Sequence, residues 1–401
     1  MDRIYEVLIK DQFAHNRQMA FLSGPRQVGK TTLAELVLPH ARYYNYDRPS
    51  DAVKLSAGPD RVAEDAGLNA PSILRNGIIF DEIHKFPKWK TFLKGFFDVY
   101  GKGLPVAVTG SARLNVYKRG GDSLMGRYFP TRIHPLSVGE LSGGTVDLDK
   151  PFRTGGVVEK ETIARLLKFG GYPEPFLNGS ERFCNRWRSS RREQIFHEDL
   201  RDLSRVQDIR GILSLSELLA ARVTGGINCA GLAADLQVAP DTVKSWIGLL
   251  ESVYEVYAIR PWFKNVANSI RKQPKIYFWD WSIVPVGGMR NENFIASHLL
   301  KSVHWWRDSG LGEFELCYVR DKQQREVDFL VVRDGEPFML VECKTSQEEP
   351  LSPELERFRR ELKVPYAFQV AVEAEAAGVN PLDFRDKAIR VSAADFLSCL
   401  I

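Results

Sequence analysis

Short apolar blocks recur through the first third of the chain, set apart by longer stretches with polar faces. They are Ala20-Phe21-Leu22, Arg42-Tyr43-Tyr44-Asn45-Tyr46-Asp47, Gly77-Ile78-Ile79-Phe80-Asp81-Glu82, Leu104 to Ser111 and Tyr128 to Ile133. Between them lie segments such as Leu33-Ala34-Glu35-Leu36-Val37-Leu38, which read as helix. Strand-length apolar runs alternating with helical segments predict an α/β fold, a parallel sheet covered by helices. Three of the strands lead at their carboxyl ends into glycine-rich or polar residues. In open α/β sheets ligands bind along that edge.

The rhythm then changes. Residues 151–210 predict helices. Within Asn185-Arg186-Trp187-Arg188-Ser189-Ser190-Arg191-Arg192, Arg188, Arg191 and Arg192 share one helix face. That face either contacts phosphate or is a solvated basic surface above an inward Trp187. Leu215–Ala221, Ala230–Leu236 and Asp241–Leu250 predict three short helices, with Pro240 well placed to start the last. A strand, Val256–Arg260, follows, so residues 211–270 suggest a winged helix-turn-helix. Thr242, Lys244 and Ser245 would then face bases or phosphates, unless the module docks a protein instead.

After a strand at Lys275–Asp280 and a helix at Glu292–Leu299, two further strands, Arg325–Val332 and Pro337–Lys344, flank the turn Arg333-Asp334-Gly335-Glu336. A turn centred on Gly335 opposes Asp328 to Glu342, Leu330 to Leu340 and Val332 to Phe338. Lys344 falls on the same side, opposite Glu326. Facing carboxylates repel unless a cation lies between them, and a divalent metal does so while activating a water. Lys344 would stabilise a scissile phosphate or orient that water. Without a metal, the same residues would form an ion-pair edge around Glu326, Lys344 and Arg325.

Composition narrows the setting. A chain of 401 residues suggests two to four domains. Hydrophobic content of 44% with 26% charged residues is that of a globular protein, and a net charge of +4 requires any basic surface to be local. Five scattered cysteines without a C-x-x-C pair argue for a reducing compartment, without disulfides or structural zinc. The chain starts unlike a signal peptide and holds no run of membrane-spanning length, so the expected location is cytoplasmic, away from membranes.

The sharpest chemistry lies at Gly24-Pro25-Arg26-Gln27-Val28-Gly29-Lys30-Thr31-Thr32, between a strand and a helix. It matches the phosphate-cradling loop G-x-x-x-x-G-K-[ST]. The glycines let successive N–H groups turn inward, and the helix N-terminus adds partial positive charge. Lys30 would reach the β- and γ-phosphates of ATP, and the Thr31 hydroxyl would ligate Mg²⁺. Asp81 would hold Mg²⁺ through water, and Glu82 would orient or deprotonate the attacking water. Thr109 and Ser111 fit a polar sensor of the γ-phosphate, or cap the next helix. Arg127 is placed to reach a neighbouring copy's site in a homo-oligomer, with Arg113, Arg119 and Arg132 as competitors.

The set GPRQVGKTT, IIFDEIHKF, VTGSARL, Gly126-Arg127 with Pro135-Leu136-Ser137, ENFIASHL, EVDF and VECKTS resembles a prokaryotic family of AAA-type ATPases with a C-terminal domain of unknown function. The D…E-x-K hairpin is similar to the PD-(D/E)xK motif of restriction-endonuclease-like folds, with Glu292 matching its first acid. The resemblance implies an AAA+-type ATPase core over 1–150, a helical linker or lid over 151–210, a winged helix over 211–270 and a nuclease-like domain over 271–401. It further implies Mg²⁺ or Mn²⁺ at Glu292, Asp328 and Glu342, with Lys344 catalytic. Two functions follow: a DNA-associated ATPase with a nuclease-like end, or a regulatory ATPase whose C-terminal domains bind a protein partner.

Overall fold

The computed structural model describes residues 3–68, 76–110, 124–200, 208–262 and 273–401. It forms two compact units, Met1–His134 and Pro135–Ile401. The first boundary therefore falls at 134/135, where the sequence suggested 150.

In the first unit five strands lie side by side. They are β1 (Met19–Ser23), β2 (Arg42–Asn45), β3 (Ile78–Asp81), β4 (Val106–Thr109) and β5 (Tyr128–Arg132), in the order β2-β3-β4-β1-β5. All neighbours are parallel. Helices cover parallel sheets on both faces, and β1, β3 and β4 are accordingly buried at every position. Phe80 on β3 meets Phe92 and Phe96 of the helix Trp89–Tyr100 edge-on, at centroid distances of 5.6 and 5.3 Å. That aromatic cluster anchors the sheet from below the ligand edge. A first helix, Tyr5–His15, was not foreseen in the apolar pattern.

The second unit is built on a seven-stranded mixed sheet. Its strands are β6 (Val256–Pro261), β7 (Lys275–Phe278), β8 (Phe314–Arg320), β9 (Glu326–Arg333), β10 (Glu336–Lys344), β11 (Tyr366–Ala371) and β12 (Ala388–Ser392). Their order is β12-β11-β10-β9-β8-β6-β7. Strand β6 pairs with β7 and, at Arg260 and Pro261, also with β8. The expected segments 211–270 and 271–401 thus share one sheet. Leu355 and Phe358 of the helix Pro353–Leu362 pack with Leu330, Leu340 and Ala367 in one apolar cluster. The 21-residue helix Gly288–Asp308 carries Glu292.

The β9–β10 ladder runs from Glu336 opposite Arg333 to Val341 opposite Phe329 and agrees with the expected pairing in part. The turn is centred between Asp334 and Gly335, since Glu336 opposes Arg333, and one extra residue on β10 then brings Leu340 opposite Leu330 and Val341 opposite Phe329. Val332 opposes Pro337 instead of Phe338, because the register shifts between Pro337 and Met339. Proline has no N–H for the ladder, and a bulge beside it absorbs the defect before the acidic end is reached. Among the described residues, no helix is long and apolar enough to cross a membrane.

Candidate functional site

Strand β1 ends in the loop from Gly24, and the helix Lys30–Val37 follows directly. Gly24 has φ 148°, and a Cβ there would lie 2.3 Å from the Ile133 carbonyl oxygen, so only glycine fits. Gln27 and Gly29 also take positive φ, which curls the loop around Pro25, Arg26 and the fully buried Val28. Lys30 donates to the carbonyls of Gly24 and Pro25 at 3.0 and 2.7 Å. Arg3, remote from the loop in sequence and outside its motif, braces the loop from outside. Its guanidinium donates to the Val28 carbonyl at 2.8 Å and to the His134 carbonyl at 2.7 Å.

Beside the loop, the end of β3 delivers Asp81. Thr31 donates to its Oδ2 at 3.2 Å, Tyr43 to the same oxygen at 2.6 Å, and Thr109 to Oδ1. The pairing of β3 with β2 and β4 brings these donors together: Asn45 lies opposite Asp81, and Phe80 opposite Val108. Burial and the bond to Asp81 raise the Tyr43 hydroxyl far above its ordinary pKa, so it stays a donor. Tyr43 was missed because a tyrosine in a tyrosine-rich strand reads as core. Its alternation with Asn45, which donates to the Tyr43 hydroxyl at 3.1 Å, is the signal that marks one polar face.

Glu82 takes φ 53°, a left-handed conformation unusual for a residue with a Cβ. Its carboxylate lies 3.3 Å from Lys85 and 3.6 Å from His84, and Lys85 also pairs with Asp47 at 2.6 Å. Strain of this kind holds a side chain where a relaxed turn would not put it. Thr32 is exposed on the helix. Arg127 donates through Nε and Nη2 to the two oxygens of Asp98 on the helix Trp89–Tyr100, at 2.8 and 2.9 Å. Ser111, Arg113 and Arg119 lie outside the described residues. The donor set fits ATP with Mg²⁺: a glycine loop and lysine for phosphates, and a hydroxyl next to a carboxylate for the cation.

In the second unit the basic stripe of 185–192 does not form. Arg191 is buried with Trp187, donates to Tyr172 at 2.8 Å and pairs with Glu255 at 3.4 Å. Arg192 pairs with Glu217, and Arg188 donates to the Lys168 carbonyl at 3.0 Å. On the helix Pro240–Ser252, Lys244 and Ser245 are exposed and Thr242 half-buried, with Lys244 paired to Asp241 at 2.9 Å.

The acidic end of the hairpin gathers around a residue the sequence did not single out. Lys275, buried on β7, places its ammonium 2.7 Å from Glu326, 3.3 Å from Glu292 and 3.8 Å from Asp328. Tyr277, two residues along the same strand face, donates to Glu292 at 2.7 Å. Asp328 accepts the Cys343 N–H at 2.9 Å, and Arg320 pairs with the other oxygen of Glu326. Lys344 pairs with Glu342 at 3.2 Å instead of Glu326. Burial, reinforced by Asp328, raises Glu292 to about 8 and Glu342 to about 7. Burial also raises Asp328, against the pull of Lys275. Lys275 is itself raised, since Glu292, Asp328 and Glu326 outweigh its own desolvation.

Thus Asp328 acts on both Glu292 and Glu342, but the compensating cations are ammoniums, Lys275 for Glu292 and Asp328 and Lys344 for Glu342. Among the described residues, no three His, Cys, Asp or Glu side chains form a group that could hold a metal ion. The expected metal set does not fit as it stands.

Comparisons with known proteins agree with the first unit's geometry. Residues 16–142 match a family model described as an AAA domain. Residues 160–290 and 287–385 match two models described as domains of unknown function, DUF8612 and DUF4143. An uncharacterized protein of Mycobacterium tuberculosis is 25% identical over 342 residues, 81% of this chain and 70% of that protein. One of Methanocaldococcus jannaschii, also uncharacterized, is 23% identical over 357 residues, 85% of this chain and 78% of its own. Among solved structures, the Walker-type ATPase of Pyrococcus abyssi superposes with a TM-score of 0.42 at 15% identity, covering 71% of this chain and 94% of that one. At that score the likeness does not establish a shared fold. Residues 16–142 match an AAA domain, and the glycine loop, Lys30, Thr31 and Asp81 all lie inside that match.

Proposed function

We propose that the chain binds and hydrolyses ATP at the Lys30–Asp81 site, and that this turnover controls how its C-terminal part engages nucleic acid, DNA in particular. The observation that carries the ATPase reading is the convergence of Thr31, Tyr43 and Thr109 on the Asp81 carboxylate beside the glycine loop.

In this reading the N–H groups of the Gly24–Thr32 loop, which Pro25 lacks, cradle the phosphates and Lys30 neutralises them. Thr31, and Asp81 through water, would hold Mg²⁺, which would supply charge compensation on the phosphate oxygens. Glu82 orients the attacking water and accepts its proton, Ser111 senses the γ-phosphate, and Thr109, first expected to share that role, steadies Asp81 instead. Arg127 serves a neighbouring copy only on leaving Asp98. The segments 1–150, 151–210, 211–270 and 271–401 then act as ATPase core, helical linker, winged helix and nuclease-like domain. Support for the winged helix comes from the helices Cys229–Leu236 and Pro240–Ser252, their short connection and the antiparallel β6–β7 pair that follows. Support for the nuclease-like domain is the acid-bearing β9–β10 hairpin next to parallel β11.

ATP turnover measured with DNA, with RNA and with neither tests the proposal, using Lys30→Ala as the blank. Glu82→Gln should retain ATP without hydrolysing it; turnover at the parental rate would remove Glu82 from the role of base. If nucleic acid neither binds nor stimulates turnover, the DNA half of the proposal falls. A second reading, a regulatory ATPase with a protein partner, is favoured by the burial of Arg191 against Glu255, which removes it from any phosphate-facing surface. Stoichiometric recovery of one protein without nucleic acid would support it.

A further inference from the structure

The carboxylates of the second unit lie where the hairpin motif calls for a divalent cation, yet Lys275 reaches three of them. Its Nζ is within 4 Å of Glu292, Glu326 and Asp328 at once, and the residue is 2% exposed. A lysine buried to this degree is not a solvated chain that drifts across a site. Its stem is held by β7, and its ammonium lies 5.4 Å from the Tyr318 ring centroid. The other charges are likewise matched within the unit: Arg320 on Glu326, and Lys344 on Glu342.

We infer that Lys275 is the resident cation of this cluster, so that the native protein admits no divalent metal there and does not cleave phosphodiesters by a metal-dependent route. The physical reason is exclusion. A divalent ion ligated by Glu292 and Asp328 would lie within a few ångströms of the ammonium, where like charges in a poorly solvated site repel strongly. Metal and ammonium are therefore alternative occupants. One oxygen of Glu342, Oε2, is buried without a hydrogen-bond partner, a position that a larger or differently placed cation would satisfy and Lys275 does not. Removing the ammonium while keeping the acids should open the cluster to metal. This inference rests on the nuclease-like reading of the hairpin, and it deepens that reading by removing the cleavage step while leaving nucleic-acid binding in place.

Mn²⁺ binding to the full chain without nucleotide, followed by electron paramagnetic resonance, tests it. All proteins carry Asp81→Asn so that the ATPase site contributes no carboxylate from Asp81. The parent and Asp328→Asn should bind the same amount of Mn²⁺. Lys275→Gln should bind one more Mn²⁺ per chain, lose it again in Lys275→Gln/Asp328→Asn, and melt at a higher temperature with Mn²⁺ than without. Mn²⁺ bound by the parent and lost in Asp328→Asn overturns the inference. So does a folded Lys275→Gln that binds no more than the parent. If Lys275→Gln does not fold even with Mn²⁺, the parent against Asp328→Asn decides alone. Failure of DNA to bind or stimulate turnover would sink the nucleic-acid proposal without altering any of these metal counts.

Discussion

Asp81 accepts three hydroxyl bonds, from Thr31, Tyr43 and Thr109, and so its carboxylate has little freedom to rotate. Deleting the Tyr43 hydroxyl frees one side of it. Hydrogen bonds to charged groups contribute about 1.5–3 kcal/mol, so Tyr43→Phe should lower ATP turnover about tenfold while leaving nucleotide affinity nearly unchanged. An affinity loss at unchanged kcat would place Tyr43 in binding instead. His298, buried on the helix Gly288–Asp308, gives a pH prediction. Its Nε2 accepts the Val138 N–H at 3.0 Å, so Nδ1 carries the proton and donates to the Phe294 carbonyl at 2.8 Å. Burial lowers its pKa to about 3, and the neighbouring Lys301, itself paired with Glu140, opposes a second charge. Because the unfolded chain takes up the proton near pH 6.5 and the folded one does not, stability is full above that pH. It falls by at most about 1.4 kcal/mol per unit as pH drops toward 3. Denaturant midpoints across that range should flatten in His298→Gln relative to the parent. Parallel profiles would show that His298 is not the titrating group.

Among the elements, the β9–β10 hairpin shows how a local turn sets a distant pairing. Asp334 and Gly335 have φ of 52° and 85°, the pair of positive values that a two-residue hairpin turn demands. A Cβ at Gly335 would meet nothing within 4 Å, so Gly335→Ala costs conformational strain alone, about 1 kcal/mol, read as a lowered denaturation midpoint of the second unit. The turn was legible in Asp334-Gly335, but the pairing of Leu330 with Leu340 also needs the extra residue that β10 takes up beside Pro337. The shift beside Pro337 was not read, although proline's missing N–H was its cause. The glycine loop was read almost completely, because its function is local: backbone N–H groups, one lysine and one hydroxyl within nine consecutive residues. Arg3, over twenty residues upstream, escaped because nothing near it in sequence requires a loop brace.

On the scale of the chain, the two compact units carry separate chemistry. Every contact described for the ATPase site comes from residues within Met1–His134. Asp328→Ala combined with Lys344→Ala should therefore leave ATP turnover without nucleic acid within about twofold of the parent, and a larger loss would show that the second unit supports catalysis. The amino-acid sequence by itself determined the phosphate loop, the acids at the ends of β3 and β10, and the hairpin turn, since these depend on spacing along a few residues of backbone. Only the tertiary structure decided which cation faces the acids. Lys275 sits on β7, some fifty residues before Glu326, and it meets the hairpin acids through the folding of one mixed sheet. The same long-range pairing buried Arg191 against Glu255 and closed Arg127 onto Asp98, two arginines that spacing alone had pointed at phosphate. Charge at a given position is written in the chain, but its partner is chosen by whatever the fold brings within a few ångströms, and in a buried site that choice governs what else can bind.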